Sequence, residues 1–338
     1  MVTRDEVARE AGTSSAVVSY VINNGPRNVS ASTRERVLAA IAKLDYRPNA
    51  VARSLRSSSS RVLGLIVRDI TNAYCSELAL AVEDSALARN HTLLLGNSMH
   101  SDERQSMHIQ TFFAHQVRGI VFIGSTFGNE TFLAATSATL KGAHAPLVFF
   151  DRSTSEFGAT TILIDNRGGA RMATSHLLEH GHRSIANFGG SPSLSVVRER
   201  TDGWAEALSA VGVDASAQQQ YESSFDRYDA FAAASAMLGS PNRPTAIFSH
   251  SDEQSIGIIY AAAQLGLSIP HDLALVSFDG IKEAGLVTPG LTTIQQPTAR
   301  AGALAVDVIL GTRDGDPLPE PGEVLPVELI VRHSCGCQ

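Results

Sequence analysis

The stretch that most constrains this 338-residue chain lies at its start, between Thr3 and Asn23. Its sequence, TRDEVAREAGTSSAVVSYVIN, predicts two short helices joined by a glycine turn. Thr3 and Glu6 have the spacing of a capping box, so the first helix is expected to begin near Arg4. Gly12 supplies the backbone conformation that a side chain would resist at a tight turn. The pattern therefore predicts a helix-turn-helix.

The apolar residues of these two helices recur at helical spacing and must face a shared core. They are Val7, Ala8, Ala11, Val18, Val21 and Ile22. This leaves Ser15, Ala16 and Tyr20 on the open side of the second helix, at positions that reach base edges in this motif. A third helix is predicted after Ser30 and would close the core. Its expected apolar side consists of Val37, Leu38, Ile41 and Leu44.

Charge is divided unevenly along the chain. Residues 1–61 hold ten Lys or Arg against five Asp or Glu, whereas the remainder holds 17 against 29. A net charge of −7 would ordinarily disfavour nucleic acid as a partner. The local patch decides electrostatic binding, however, and the basic patch coincides with the helix-turn-helix. The sequence therefore predicts double-stranded DNA as a partner of this region.

The run DEVAREAGTSSAVVSYVIN, followed by VSASTRERVLAAIAKLDYRPNAVARSL, resembles the head and hinge of the lactose-repressor/galactose-repressor family of bacterial transcription regulators. The resemblance implies a DNA-binding head at 1–48, a hinge helix and linker at 49–60, and a palindromic operator as the DNA partner. In the family the hinge helix folds on the operator and presses a leucine, here Leu55, into the minor groove. The implied DNA-binding residues are Thr3, Ser14, Ser15, Ala16, Ser19, Tyr20, Asn23, Ser30, Asn49, Ala52, Arg53 and Leu55.

After a polar junction at 57–60, short apolar runs alternate with helical stretches. Runs that are apolar on both faces and separated by helices indicate parallel sheets covered on both sides. The alternation occurs twice, which predicts two Rossmann-like halves. The expected strands lie at 62–67, 92–97, 119–124, 146–151, 160–165, 184–190, 221–225, 245–250 and 273–279, and the expected helices near 76–89, 103–115, 129–139 and 196–211.

This second region, residues 61–338, resembles the type I periplasmic-binding-protein fold, as the regulatory part of the same family does. The expected fold is thus an all-α helix-turn-helix head followed by an α/β core of two lobes for effector binding and dimerisation. The expected N-lobe comprises 61–163 and 292–324, and the expected C-lobe 164–291 and 325–338. The chain ends soon after Arg332, without the heptads that a tetramerising helix would need, so a homodimer is expected.

Open α/β sheets bind ligands in a cleft at the carboxyl ends of their strands, and the residues expected there are polar. Carboxylates and a guanidinium direct hydrogen bonds to hydroxyl-rich or anionic ligands, while an aromatic face stacks on a sugar ring. A sugar or sugar phosphate is therefore the expected effector. The family pattern implies as effector-binding residues Asp151, Arg200, Phe225, Ser251, Asp252, Asp279 and Gln296.

Two observations leave the identity of the effector open. Ser251 stands where sugar-binding members commonly carry asparagine, and Ile123 is apolar where some have a polar contact. For Asp252, an N-cap of the following helix is the alternative role.

Neither a metal nor a cofactor is expected. His176, His180 and His182 are interpreted as a helix end and the turn after it, and the family has a similar segment without metal. Cys335 and Cys337 lack a second pair of ligands, so free thiols are the expectation.

No catalytic residues are predicted. Ser249, His250, Ser251 and Asp252 contain the letters of a hydrolase triad. Adjacent residues at a strand end point to alternate sides, however, and cannot align a nucleophile with its base. An enzyme is therefore not expected.

The remaining features favour a cytoplasmic protein with no membrane partner. The three cysteines form no secretory framework, no apolar run approaches the ~18 residues of a membrane span, and the chain begins directly with the first predicted helix. The predicted function is a sequence-specific transcription regulator, in the first place a repressor, controlled by a small molecule. The alternatives are a transport solute-binding protein, which would leave residues 1–56 unexplained, and a sugar-processing enzyme of similar fold.

Overall fold

A computed structural model of the chain describes residues 2–23, 28–46, 60–124, 145–151, 159–312 and 324–337. The chain divides into two compact units, Met1–Ser60 and Arg61–Gln338. The division falls at the end of the expected hinge and linker. The hinge helix itself and the helix expected at 129–139 lie outside the described residues.

Within its described residues, the first unit contains three short helices around one small core. These are α1 (Arg4–Glu10), α2 (Ser15–Asn23) and α3 (Ala31–Lys43). Gly12, with φ +62°, makes the turn between α1 and α2, as the sequence predicts. The buried apolar residues are Val7, Ala8, Ala11, Val18, Val21, Val37, Ala40 and Tyr46.

One predicted core position of this unit was wrong. Leu38 is 52% exposed, whereas Ala40 is buried. The core-facing residues of α3 follow the spacing i, i+3, i+4 and i+7 from Val37, and position 38 lies outside that stripe.

The described residues of the second unit form two six-stranded sheets. The strands of the first sheet are β1 (Val62–Val67), β2 (Thr92–Asn97), β3 (Ile120–Ile123), β4 (Leu147–Phe150), β5 (Thr160–Ile164) and β11 (Val324–Leu325). Their order is β11-β5-β4-β3-β1-β2, and all neighbours are parallel.

The second sheet also has six strands, of which one is antiparallel to its neighbour. Its strands are β6 (Ile185–Gly189), β7 (Gln220–Glu222), β8 (Ala246–Ser249), β9 (Ala274–Asp279), β10 (Thr292–Gln295) and β12 (Glu328–Ile330). Their order is β12-β10-β9-β8-β6-β7, and only β12 runs antiparallel to its neighbour.

Helices pack against both sheets. The first sheet carries α4 (Ala73–Ala88), α5 (Asp102–Ala114) and α10 (Thr298–Gly311), and the second carries α6 (Asn166–Glu179), α7 (Ser195–Ala210), α8 (Arg227–Leu238) and α9 (Asp252–Gln264). Alternate residues of β1 join different core clusters: Leu65 packs with the α4 and α10 side chains, and Ile66 with those of α5. This two-sided burial explains why the strands read as continuous apolar runs.

The structure moves the expected lobe boundaries by a few residues. Residues 292–295 were expected in the N-lobe, but they form β10, which is hydrogen-bonded between β9 and β12 of the second sheet. The chain crosses after Gln295, and α10 then packs on α4. Ile164 and Leu325 pair with each other in the first sheet, so both belong to the N-lobe. Apolar runs reveal strands but not their hydrogen-bonded neighbours, and these neighbours decide the lobe.

Two helices of the C-lobe make an unusually close contact that matters for the site. A Cβ atom on Gly203 of α7 would overlap the carbonyl oxygen of Arg167 on α6. Glycine is therefore required where the helices cross. The close approach brings Arg200, one turn earlier on α7, against Asn166 at the start of α6.

Candidate functional site

A partly open cavity of about 980 Å³ lies between the two lobes. This volume lies at the upper end of the ~300–1,000 Å³ that is usual for ligand pockets. The cavity is lined by residues at the carboxyl ends of strands in both sheets, where open α/β sheets bind ligands. Such lining residues are Arg68, Gly124 and Asp151 in the N-lobe and Phe225 and Asp279 in the C-lobe.

Four of the seven expected effector residues line this cavity, namely Asp151, Arg200, Phe225 and Asp279. The other three, Ser251, Asp252 and Gln296, are buried behind its wall. A motif match places a residue at a strand end, but it does not determine which way the side chain turns.

Asp252 neither lines the cavity nor caps a helix. The N-cap of α9 is Ser251, whose hydroxyl accepts a first-turn N–H at 3.1 Å. The Asp252 carboxylate accepts the N–H groups of Gly280 and Ile281, both at 2.8 Å. It also accepts the hydroxyl of Thr293 at 2.7 Å. Asp252 therefore fixes the turn after β9 to β10.

Gln296 acts through a cavity residue. Its Nε2 donates to Oδ1 of Asp279 at 2.8 Å. The bond orients the Asp279 carboxyl, whose backbone has φ +118°, a conformation that few residues other than glycine adopt. Gln296 is thus a positioning residue behind the cavity rather than a lining residue.

Arg200 forms the floor of the cavity and is 4% exposed. Its Nε donates to Oδ1 of Asn166 at 2.9 Å, and its Nη1 donates to the carbonyl oxygen of His250. The guanidinium carbon lies 3.7 Å from the ring centre of Phe278, and Nη1 lies 3.6 Å from Asp279. Because the guanidinium is held from several sides, it can meet a ligand with little further loss of entropy.

Asp151 lies opposite, in the N-lobe, with φ +53°. Its Oδ1 accepts the N–H of Ile164 at 2.9 Å and Nδ2 of Asn166 at 3.2 Å. Its carbonyl oxygen accepts the hydroxyl of Ser195, a C-lobe residue, at 2.8 Å. Backbone strain of this kind persists where the surroundings enforce it and is common at ligand sites.

Burial raises the pKa of both cavity carboxyls, that of Asp279 to about 8 and that of Asp151 to about 6. For Asp279 the desolvation outweighs the nearby Arg200, which lowers its pKa, and the Asp252 carboxylate raises the pKa further. Burial therefore favours the protonated form of Asp279, and in that form the carboxyl can donate a hydrogen bond as well as accept one.

Several cavity residues were missed by reasoning from the sequence. Arg68 follows β1 directly and donates from Nε to Nδ1 of His100 at 2.7 Å. Asn72, Ser195 and Arg198 also line the cavity. A usable signal existed for Arg68, because it ends a predicted strand in the same way as Asp151. The apolar Ile123 lines the cavity as well.

Hydrogen bonds join the two lobes beside the cavity. They run from Nδ2 of Asn72 to the carbonyl oxygen of Phe225 at 3.3 Å, from the N–H of Ala73 to Glu253 at 3.2 Å, and from the N–H of Lys282 to Glu77 at 3.0 Å. The first turn of α4 thus contacts the C-lobe. A ligand that changes the distance between the lobes has to break or tighten these bonds.

The residues that resemble a hydrolase triad form no nucleophile and base pair. The hydroxyl of Ser249 donates to the carbonyl oxygen of Ser251 at 3.1 Å. Nε2 of His250 is 2.8 Å from Oδ1 of Asn187, on the neighbouring strand.

In the first unit, the hydroxyls of three expected DNA-binding residues cap helices. Thr3 and Glu6 form the predicted capping box. The Thr3 N–H donates to the Glu6 carboxylate at 2.6 Å, and the Thr3 hydroxyl accepts the Glu6 N–H at 3.3 Å. The hydroxyls of Ser14 and Ser30 each accept the N–H three residues on, at 3.3 Å. These contacts fix where α1, α2 and α3 begin.

The open side of α2 carries the expected base-reading residues. Ala16 is exposed, while Ser15, Ser19 and Tyr20 are half-buried. The Ser15 hydroxyl donates to the Asp5 carboxylate, which holds it against α1. Asn23 ends α2. The expected hinge contacts Asn49, Ala52, Arg53 and Leu55 lie outside the described residues.

None of the helices in the described ranges is both long and apolar enough to cross a membrane.

Two parts of the chain match known protein families. Residues 3–49 match "Bacterial regulatory proteins, lacI family", and residues 174–335 match "Periplasmic binding protein-like domain". The chain is 33% identical over 311 residues to the HTH-type transcriptional repressor PurR of Erwinia tasmaniensis, covering 92% of this chain and 90% of the relative. It is 32% identical over 310 residues to the ribose operon repressor of Escherichia coli, covering 92% of each.

A solved structure has the same fold along the full length. It is that of the lac repressor dimer bound to operator and the anti-inducer ONPF, with 27% identity and a TM-score of 0.86 over 99% of both chains. The expected fold class, a helical head followed by a two-lobed α/β core, is confirmed.

We expect Asp279→Asn to stabilise the protein increasingly as the pH rises. The pKa of Asp279 is raised from 3.8 to about 8, so the folded state binds more protons than the unfolded state between these values. Stability is therefore lost as the pH rises through this window, by a few kcal/mol at most. An asparagine keeps the acceptor for Gln296 but does not ionise.

The check is thermal unfolding of both proteins between about pH 4 and pH 8, with Asp84→Asn on the exposed side of α4 as the control. A Tm difference for Asp279→Asn that stays constant with pH would contradict the raised pKa.

Proposed function

The chain belongs to the lacI family of bacterial regulatory proteins, and from this membership we propose how it regulates transcription. It is a DNA-binding transcriptional repressor under small-molecule control, and not an enzyme. The observation that carries the mechanism is the combination, in one chain, of a capped helix-turn-helix and a cavity between two lobes that is lined in part by charged side chains. The first part would read DNA, and the second would sense the effector.

We propose a sugar or sugar phosphate as the effector. The Arg200 guanidinium donates hydrogen bonds, the Asp279 carboxyl accepts them and can also donate one when it is protonated, and Phe225 offers an aromatic face. These are the groups that recognise a ring bearing several hydroxyls. Arg68 and Arg198 add positive charge for a phosphate. The name of the related ribose operon repressor supports this class of ligand.

The proposed assembly is a cytoplasmic homodimer on a palindromic operator. A two-fold symmetric dimer presents two copies of α2 to half-sites of equal sequence. The related lac repressor structure, described as a dimer bound to operator, supports this proposal. The basic surplus of residues 1–61 would neutralise the DNA backbone.

The proposed link between the two functions is the segment 49–56. It would make only about two helical turns, and helices this short rarely persist alone in water. On an operator, the two hinges of a dimer would pack on each other while Leu55 enters the minor groove. An effector that shifts the lobes would change the spacing of the paired hinges. Such coupling typically amounts to ~1–3 kcal/mol and acts equally in both directions.

We expect Phe225→Ala to abolish the effector response but to leave operator affinity nearly unchanged, because Phe225 lines the cavity and lies outside the head. Thermal-shift screening against sugars and sugar phosphates would first identify a ligand. Fluorescence anisotropy on an operator selected from random sequences would then be measured with and without it.

Tyr228→Ala is the matched control, since Tyr228 is 76% exposed and three residues away. The proposed effector site would be wrong if Phe225→Ala kept the full response. The proposed effector class would be wrong if none of these compounds stabilised the protein.

Tyr20→Ala should weaken binding to the selected operator by ~1–3 kcal/mol and binding to random DNA much less, because base contacts specify while phosphate contacts do not. Circular dichroism would confirm that the head stays folded, and Tyr20→Phe would separate the hydroxyl from the ring. Equal losses on both DNAs would assign Tyr20 to packing instead.

Leu55→Gly should remove most operator-specific binding and retain the salt-dependent binding of the head. Amide hydrogen exchange of residues 49–56, measured free and on the operator, tests the hinge directly. Protection is expected only on the operator. Strong protection in the free protein would rule out folding on DNA.

A further inference from the structure

Four histidine and cysteine side chains from distant parts of the sequence meet in the C-lobe. His176 lies in the last turn of α6 and His180 is the C-cap of that helix. Cys335 and Cys337 lie in the tail that follows β12. One ligand atom from each residue can be chosen so that all four lie within 4.8 Å of one another. The histidine pair and the cysteine pair each lacked partners in the sequence, and the fold brings them together.

Local geometry directs both pairs toward the same point. Residues four apart lie on one face of a helix, and the His176 and His180 rings are 4.8 Å apart. Gly336, between the cysteines, has φ +99°, and a Cβ there would meet nothing within 4 Å. The glycine is therefore needed for its backbone conformation, which bends the tail, and not for space.

The ligand distances fit a small tetrahedral ion. Sγ of Cys337 is 3.1 Å from Nε2 of His180 and 3.5 Å from Nε2 of His176. A tetrahedral ion with bonds of ~2.3 Å to sulfur and ~2.0–2.1 Å to nitrogen would separate these ligands by about 3.5 Å. The widest separation among the four ligand atoms, at most 4.8 Å, would have to shorten by about 1 Å to close the site.

The tail that supplies the thiols is fixed in place. Ser334 donates from its hydroxyl to the carbonyl oxygen of Leu275 at 2.7 Å and accepts the N–H of Thr292 at 2.8 Å. Cys335 is 1% exposed, and its sulfur accepts the hydroxyl of Thr292 at 3.1 Å. A hydroxyl donor of this kind orients a metal-bound thiolate. The site is thus preorganised from two strands, β9 and β10.

We propose that His176, His180, Cys335 and Cys337 bind one tetrahedral divalent metal ion, with Zn²⁺ as the expected occupant. Two thiolates and two imidazoles complete the coordination, as in structural zinc sites, and leave no position open for catalysis. The ion would join the C-terminal tail to α6 and so stabilise the C-lobe. The proposal is independent of the proposed effector and operator.

The test uses the full chain, made metal-free with a chelator under reducing conditions and titrated with Co²⁺. One ion per chain is expected, with thiolate-to-cobalt charge-transfer absorption and the strong visible bands of tetrahedral Co²⁺. Added Zn²⁺ should displace the cobalt, and it should raise the Tm.

Cys337→Ser and His180→Ala should each weaken Co²⁺ binding at least tenfold. His182→Ala is the matched control: His182 belongs to the same segment, but its Nδ1 lies 3.2 Å from the hydroxyl of Thr245. It should bind Co²⁺ as the unmodified chain does. His180 is exposed, so its variant should fold even if the cysteine variant does not.

Three results would overturn the proposal. The first is a weak octahedral spectrum without thiolate absorption. The second is Co²⁺ affinity that survives both ligand substitutions. The third is a mass lower by about two hydrogens in a peptide holding Cys335 and Cys337, from protein purified in reductant, since a disulfide between them would remove both thiolates.

Discussion

The buried guanidinium of Arg200 is the interaction on which the arrangement of the cavity depends. A cation that is almost excluded from water has to be met by partners on several sides, because an unpaired buried charge costs several kcal/mol. Here the partners come from separate elements: Asn166 opens α6, His250 follows β8, and Asp279 ends β9. The contact at Gly203 allows α6 to come close enough for the first of these bonds. The C-lobe elements are thus held in register by one side chain.

The same site also buries three carboxyl groups, which lowers the stability of the folded protein. Burial raises the pKa of Asp151, Asp252 and Asp279, so holding them reduces the free energy of unfolding. Asp252 is compensated by three hydrogen bonds from the chain itself. Asp279 has fewer partners and faces the cavity, where a ligand hydroxyl would complete its hydrogen bonding. Local strain at Asp151 and Asp279 agrees with a ligand-binding role, since proteins tolerate such backbone at sites of function.

Most of the fold could be predicted because a short apolar run between two helical stretches is typical of a parallel strand that is buried on both faces. The first two predicted strands match β1 and β2 residue for residue. The failures have one cause: periodicity describes an element but not its neighbours. It could not tell that β10 pairs with β9, or that Ser251, Asp252 and Gln296 turn away from the cavity. The prediction that Leu38 belongs to the core was wrong for a similar reason, because an apolar residue next to the core-facing side of a helix does not itself face the core.

The cluster of His176, His180, Cys335 and Cys337 marks the limit of such reasoning most clearly. His180 and Cys337 are 157 positions apart, and no local pattern relates them. Spacing rules detect metal sites whose ligands follow each other closely, and they pass over sites that tertiary structure assembles. Helix α6 connects this cluster to the cavity: Asn166, at its start, contacts both Asp151 and Arg200, and His176 lies in its last turn. A helix is a rigid rod over three to four turns. A contact that fixes the C-terminal end of α6 therefore limits the movement of Asn166, which orients Asp151 and Arg200 at the N-terminal end.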